Sequence, residues 1–185
     1  IVGNGCTEEW ASWLLSTRLC NCIKVGIGVS KACQTRQFTG FGSSTISSVE
    51  DCAKSVEKWN HYKRPDTKFS LMSDGGITVN KDGIPFIGDI TKALVVGKAD
   101  WVMSGALFKH CADSPSVTNG YYGNASSTGK GHDKHVEGRN VTVQSNGYTV
   151  KEMMTLIEES LRSSVSYSGG RNIEEMKGLT RWEQV

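Results

Sequence analysis

Four short apolar segments, each followed by a glycine turn, constrain the fold of this chain more than any other feature. They are 1–2 before Gly3-Asn4-Gly5, 23–25 before Gly26, 69–73 before Asp74-Gly75-Gly76, and 100–103 before Ser104-Gly105-Ala106. Segments with helical periodicity separate these apolar runs. Strands that alternate with helices in this way are typical of βα units in a parallel sheet. The sequence therefore predicts an α/β fold.

The predicted helices begin at residues suited to that place. Thr7 is a good N-cap residue, and two glutamates follow it where the helix dipole favours acids. This helix, reaching to about residue 19, is predicted to bury an apolar face made of Trp10, Trp13, Leu14 and Leu15. Further helices are predicted over 47–59, 88–95, 150–163 and 173–176, with a polar loop over 60–68. The helix over 150–163 is predicted to turn inward Met153, Met154, Ile157 and Leu161.

Composition narrows the class of protein. A chain of 185 residues suits one domain, and a net charge of +2 is too small to indicate a nucleic-acid-binding protein by itself. The six cysteines lack the spacing of a metal site, so reduced thiols in a cytoplasmic protein are the simpler interpretation. No apolar run approaches the ~20 residues that a membrane span needs. We therefore expect neither a nucleic-acid partner nor a membrane partner.

The segment after the second predicted strand carries the strongest chemical signal. It is rich in glycine and contains Cys33 two residues before Thr35, with Lys24, Lys31 and Arg36 nearby. Glycine allows the backbone to approach a ligand closely, and cations favour a thiolate. The cationic cluster suits a small anionic ligand. On spacing alone, Cys33 is either a nucleophile or, as most single cysteines are, a small core residue.

Residues 111–147 are rich in glycine, serine, asparagine, histidine and lysine. This composition predicts a long excursion over the surface. Loops of that length inside a compact domain are usually functional or mobile. We refer to this segment as the flap.

Several motifs together resemble the IMP dehydrogenase/GMP reductase family, most closely its bacterial reductases. They are Gly26-Ile27-Gly28, Cys33-x-Thr35, Tyr122-Gly123-Asn124-Ala125-Ser126 and Val136-Glu137-Gly138-Arg139. The family fold is a (β/α)8 barrel, and the resemblance places residues 1–185 in its second half. The four predicted strands would then be the fifth to eighth strands of the barrel, with the flap at about 111–147. A separate chain carrying the first half is the favoured completion. A fragment and paired half-barrels remain alternatives.

The resemblance implies a reaction and a set of catalytic residues. Cys33 would attack C2 of GMP, releasing ammonia and forming a thioimidate that hydride from NADPH reduces to IMP. Thr35 would assist the departure of ammonia. Alternatively, its hydroxyl would only form a hydrogen bond with the backbone of its own loop. Glu137 would contact the guanine edge and share protons with Thr35, although in isolation it would be a solvated loop acid.

The resemblance also implies binding residues. Asp74 would hold the ribose hydroxyls, unless Asp74-Gly75-Gly76 is an ordinary strand-ending turn. Potassium would be held by the carbonyl groups of Gly26, Gly28 and Cys33. Nothing in the sequence separates NADPH from NADH. The implied contacts to the phosphate and the rest of the nucleotide are Lys31, Gly75, Gly76, Ser104, Gly105, Tyr122, Gly123, Asn124 and Ser126.

Two other functions stay open from the sequence. One is an IMP dehydrogenase, which the absence of an Arg-Tyr pair on the flap and the presence of Glu137 oppose. The other is a non-catalytic relative that binds purine nucleotides or serves in assembly. The loop after Gly76 is longer than is usual in the family and the flap is shorter, which bears on substrate fit. A homo- or hetero-oligomer is expected.

Overall fold

The computed structural model describes residues 1–62 and 68–180; most of the predicted loop over 60–68 lies outside them. Four parallel strands form one sheet in the order β1-β2-β3-β4. They are β1 (Val2–Gly5), β2 (Cys22–Val25), β3 (Ser70–Asp74) and β4 (Trp101–Met103). The prediction of a parallel α/β sheet is therefore confirmed. Within the described residues this sheet is open, with β1 and β4 at its edges.

Helices connect the strands and follow them. Between the strands lie α1 (Glu8–Ser16), α2 (Thr35–Thr39), α3 (Thr45–Tyr62) and α4 (Gly88–Val95). The last two helices are α7 (Val150–Tyr167) and α8 (Ile173–Leu179), each a few residues longer than predicted. Thr7 caps α1 by accepting a hydrogen bond from the Trp10 amide at 3.2 Å. The short helix α2 had no periodic signal and was not predicted.

The flap is more ordered than its composition predicts. It contains α5 (Pro115–Asn119), β5 (Tyr121–Tyr122), α6 (Ser127–Lys130) and β6 (Asn140–Val141). Strands β5 and β6 pair antiparallel. Cys111 at one end and Val143 near the other are buried. The flap is thus anchored at both ends.

The core lies on the helix side of the sheet. Ile23, Val25 and Leu71 pack there with apolar residues of α1 and α3, and a second cluster joins α4, α7 and α8. Two predicted core residues, Trp13 and Met154, are exposed instead. The buried stripe of α1 is Ala11, Leu14 and Leu15, at spacings of three and four residues, so Trp13 falls outside it. Met154 likewise lies beside the inward pair Met153 and Ile157.

The opposite face of the sheet carries uncovered apolar side chains. Lys24, Met72 and Trp101 share one row across β2, β3 and β4, and Met103 lies one pleat further along β4. Trp101 is 59% exposed and Met103 is 44% exposed. The first strand was predicted to end before Gly3, but it continues through Gly5, and Val2 is exposed. Among the residues that the structure describes, β1 is an edge strand with a neighbour on one side.

No helix in the described part of the chain is long and apolar enough to cross a membrane.

Candidate active site

Cys33 lies on the loop between β2 and α2, half-buried, just beyond the end of the strand. Its amide donates to the Ser30 carbonyl at 3.0 Å. The loop leaves β2 through Gly26, whose φ is +138° and where a Cβ would lie 2.5 Å from the Asp74 carbonyl oxygen. A side chain there would collide with β3, so only glycine allows this close approach.

Thr35 links Cys33 to Glu137. The Cys33 Sγ donates to Thr35 Oγ1 at 3.3 Å, and Thr35 Oγ1 donates to Glu137 Oε2 at 2.7 Å. The three side chains therefore form a continuous hydrogen-bonded chain from a thiol to a carboxylate. Glu137 is half-buried and lies 102 positions after Thr35, so the flap has to fold back for this contact. The structure brings together the three residues that the sequence predicted as catalytic.

Backbone hydrogen bonds hold the flap on the Cys33 loop. The Gln34 amide donates to the Glu137 carbonyl at 2.6 Å, and the Arg139 amide donates to the Ala32 carbonyl at 2.9 Å. The Arg139 Nε donates to the Lys31 carbonyl at 2.8 Å. Gly138 lies inside this pairing, and a Cβ there would be 2.8 Å from the Ser126 amide nitrogen. The position of Glu137 is therefore set by backbone pairing on both sides of it.

The other cysteines do not share this setting. Cys20, Cys22, Cys52 and Cys111 are buried, and all six cysteines are free. Burial, together with nearby Cys6, raises the pKa of the Cys52 thiol to about 12, and burial also raises the pKa of Cys111. A thiol with a raised pKa is a poor nucleophile. Cys33 is distinguished from these buried thiols by its place at the strand ends and its hydroxyl partner.

A cavity of about 380 Å³ lies beside the Cys33 loop at the ends of β3 and β4. Six of the predicted binding residues line it, namely Lys31, Asp74, Gly75, Gly76, Ser104 and Gly105. A volume of this size is near the lower end of the range that ligand pockets occupy. The cavity therefore has room for one small ligand.

Asp74 has partners that the sequence did not predict. Its Oδ2 accepts from Asn4 Nδ2 at 2.9 Å and forms an ion pair with Lys24. Asn4 also donates to the Gly26 carbonyl at 2.7 Å. Asn4 lies where the pairing register of β1 with β2 shifts, between Gly3 and Gly5. Irregular pairing of this kind can redirect a side chain, as bulges near functional sites often do.

The backbone amides of the cavity are only partly free. The Gly75 amide donates to the Met103 carbonyl at 2.7 Å, which continues the β3–β4 pairing, and the Ala106 amide donates to Ser104 Oγ at 3.2 Å. The amides of Gly76 and Gly105 have no acceptor in the described part of the chain. These two amides are among the cavity donors that stay available to a ligand.

The tyrosine at the cavity is Tyr121 and not the predicted Tyr122. Tyr121 lines the cavity, with its hydroxyl so close to Gly105 that a Cβ on that glycine would lie 2.1 Å from it. Neighbouring residues of a strand point to opposite faces, and Tyr122 is exposed. Burial and the Asp74 charge raise the pKa of Tyr121.

Three other predicted binding residues, Gly123, Asn124 and Ser126, shape the flap and are not part of the cavity wall. Ser126 is buried, donates to the Gly123 carbonyl at 2.7 Å and accepts from the Gly129 amide at 3.1 Å. Its hydroxyl thereby caps α6. The positions of these residues support the flap that carries Glu137.

The predicted potassium ligands are only partly suited to a cation. The Gly26 carbonyl already accepts the hydrogen bond from Asn4. Among the described residues, no hydrogen bond to the carbonyl groups of Gly28 or Cys33 is seen outside helices and strands. Two free carbonyl groups alone are a small part of a potassium coordination shell, and the chemistry proposed below does not depend on a cation there.

One cavity residue gave no signal in the sequence. Lys109, on the turn after β4, is only 8% exposed, and its Nζ lies 5.2 Å from the centre of the Tyr121 ring. Burial, and to a smaller extent the charge of Lys31, lower the pKa of Lys109. Two ammonium groups therefore lie at the same cavity.

Comparison with known proteins identifies the family. The model of the IMP dehydrogenase/GMP reductase domain matches residues 1–185. GMP reductases from Streptococcus suis, Streptococcus pyogenes serotype M5 and Pediococcus pentosaceus are 35%, 33% and 34% identical to the chain over 187 aligned positions. Each alignment covers 96% of this chain and 51% of the relative, so the chain spans about half the length of these relatives.

A solved structure gives the same result. The crystal structure of a GMP reductase from Trypanosoma brucei in complex with guanosine 5'-monophosphate superposes with a TM-score of 0.74 at 26% identity, covering 97% of this chain and 37% of that one. The fold of this chain matches part of that enzyme. The chain belongs to the IMP dehydrogenase/GMP reductase family.

Proposed function

We propose that this chain carries the nucleophile, the proton relay and the nucleotide site of a GMP reductase. The reaction converts GMP to IMP and ammonia, with NADPH as the reductant. The observation that carries the proposal is the hydrogen-bonded chain from Cys33 through Thr35 to Glu137. Nucleophilic catalysis by cysteine needs a base within reach, and the carboxylate of Glu137 can serve as that base through the Thr35 hydroxyl.

The relay accounts for the proton transfers of the first half-reaction. The Cys33 thiol passes its proton to Thr35 as Thr35 passes its own to Glu137, so that the sulfur attacks C2 of the guanine as a thiolate. Glu137, now protonated, returns a proton through Thr35 to the 2-amino group. The C2–N bond then breaks and ammonia leaves, so that a thioimidate joins Cys33 to C2. The distances of 3.3 Å and 2.7 Å permit both transfers without movement of the flap.

The second half-reaction restores Cys33. NADPH, when bound, supplies a hydride to C2. The C2–S bond then breaks, IMP forms and the sulfur leaves as a thiolate. A cavity of about 380 Å³ leaves little volume for a dinucleotide beside a mononucleotide, so we expect the cofactor to bind mainly outside it. The residues of this chain that favour the reaction are those that hold the nucleotide and the sulfur.

The uncovered face of the sheet supports the proposed need for the first half of a barrel. Lys24 and Asp74 point their ion pair into this face, beside Met72, Trp101 and Met103. An exposed apolar patch of this kind is unusual on a monomer. Four further strands that closed the sheet into a barrel would enclose this face and would also pair its two free edges. These strands belong either to the same polypeptide or to a separate chain.

The test is GMP-dependent oxidation of NADPH by the protein in the form that contains a complete barrel. The Cys33→Ala variant is the matched comparison, because it removes only the sulfur. Activity in the native protein that disappears in the variant supports the proposal. GMP binding without turnover in the native protein would contradict it and favour a non-catalytic relative. NAD-dependent oxidation of IMP would instead favour a dehydrogenase.

A further inference from the structure

Lys109 is a buried cation that the proposed chemistry does not use. It is 8% exposed, and among the described residues its Nζ has no hydrogen-bond acceptor and no carboxylate partner. Its only polar contact there is with the face of the Tyr121 ring, 5.2 Å from the centroid. Burying an ammonium group without a counter-ion costs free energy, and a single aromatic ring offsets only a part of that cost.

The surroundings add positive charge and no compensating negative charge. Lys31 lines the same cavity as Lys109. The single carboxylate of the described cavity wall is Asp74, and its Oδ2 is shared by Lys24 and Asn4. The cavity therefore has two ammonium groups for which the described residues provide no free anion. A ligand that carries negative charge would balance them.

The remaining donors favour a phosphate over a carboxylate. The free amides of Gly76 and Gly105 and the hydroxyl of Tyr121 lie at the same cavity as the two lysines. A phosphate monoester has three terminal oxygens and can accept several of these hydrogen bonds at once, as it does at many barrel phosphate sites. A carboxylate has only two oxygens and one negative charge.

We propose that Lys109 is a binding residue for the phosphate group of the nucleotide and that, together with Lys31, it makes this site select nucleotides over nucleosides. This inference rests on the proposed function, since it assigns the charged end of the same substrate. Tyr121 is a positioning residue, because its ring holds the Lys109 side chain toward the cavity. Its hydroxyl also limits the space next to Gly105.

Calorimetric titration with GMP and with guanosine, on the protein that contains a complete barrel, tests the assignment. In Lys109→Met, which keeps the aliphatic stem, we expect the affinity for GMP to fall by roughly 10- to 100-fold, as for loss of a hydrogen bond to a charged group. The affinity for guanosine should not change. Lys109→Arg should recover most of the affinity for GMP, because it restores the charge.

A second measurement separates binding from folding. Inorganic phosphate should raise the unfolding temperature of the native protein and of Lys109→Arg, but not that of Lys109→Met. An equal loss of affinity for GMP and guanosine in Lys109→Met, or no loss for either, would overturn the assignment. A native protein whose unfolding temperature neither GMP nor phosphate raises would overturn it as well. A native protein that binds GMP through Lys109 but does not oxidise NADPH would leave this inference standing and remove the proposed function.

Discussion

Replacing Thr35 by valine tests whether the proton relay is the source of activity. Valine has nearly the same shape as threonine but lacks the hydroxyl that accepts from Cys33 at 3.3 Å and donates to Glu137 at 2.7 Å. No hydrogen bond joins the Cys33 and Glu137 side chains directly in the described structure, so the variant interrupts the only side-chain hydrogen-bonded connection between them there. The sulfur and the carboxylate both remain in place.

The expected size of the effect follows from the step that is lost. General acid–base catalysis by a positioned group contributes about 10²- to 10⁴-fold, so kcat of Thr35→Val should fall by about 10²-fold or more. The KM for GMP should change little, because Thr35 does not line the cavity. Glu137 is half-buried and can be hydrated after the substitution. The free energy of unfolding should therefore decrease by only about 1–2 kcal/mol.

The assay is the rate of NADPH oxidation at saturating GMP, with the midpoint of urea unfolding measured on the same samples. Thr155→Val is the matched control, because its hydroxyl donates only to the Lys151 carbonyl within α7 at 3.3 Å, far along the chain from Cys33. It should keep the native rate. If Thr35→Val keeps a rate within about threefold of native, the relay does not carry the protons and the argument from this geometry is wrong.

Three further predictions concern the flap, the ion pair and the buried lysine. Gly138→Ala places a Cβ 2.8 Å from the Ser126 amide and should lower kcat by displacing Glu137, whereas Gly178→Ala, which meets no atom within 4 Å, should leave the rate of NADPH oxidation unchanged. Lys24→Met removes the cationic partner of Asp74 and should lower the free energy of unfolding in urea by about 1–3 kcal/mol; an unchanged midpoint would show that Asn4 alone satisfies Asp74. Burial and the charge of Lys31 lower the pKa of Lys109 in the folded chain. Between that pKa and the ordinary lysine value of about 10.4, the unfolded chain binds more protons than the folded chain, so the free energy of unfolding rises with pH. Lys109→Met should therefore unfold at higher urea than native near neutral pH, with a difference that shrinks as the pH approaches about 10; a lower midpoint in the variant would contradict this sign.

The parts of the site that the sequence predicts are those that local chemistry or a motif defines. Cys33 and Thr35 are two positions apart at the start of α2, so their contact follows from the loop itself. The contact of Glu137 with Thr35 spans 102 positions and was predicted only through the family resemblance. From the residues alone, Glu137 would be predicted to be a solvated loop acid.

Other contacts depend on register, which a single sequence does not reveal. The Asn4–Lys24–Asp74 group needs three parallel strands in one alignment and a shift between Gly3 and Gly5. The choice between Tyr121 and Tyr122 depends on the facing of a strand of two residues, too short to show alternation. Lys109 lies on an apolar turn, and its contact with the Tyr121 ring depends on how the flap folds. These features come from tertiary packing.

The arrangement of the site separates binding from turnover. Cys33, Thr35 and Glu137 are held together by the loop after β2 and by backbone bonds to the flap, and the cavity is built at the ends of β3 and β4. All of these groups belong to this chain, so their mutual geometry is set by contacts within it.

The sheet is less complete than the site, because Trp101 and Met103 are exposed on its uncovered face. A cavity of about 380 Å³ also leaves little volume for a dinucleotide beside a bound mononucleotide. The chain without the first half should therefore bind GMP weakly and react at Cys33, while oxidation of NADPH should require the complete barrel. Adding a polypeptide with the first four strands should restore turnover and bury Trp101. To follow Trp101 alone, the other four tryptophans are replaced by phenylalanine, and the fluorescence of Trp101 then reports its burial. Restored turnover with Trp101 still exposed would show that the added strands do not close this sheet.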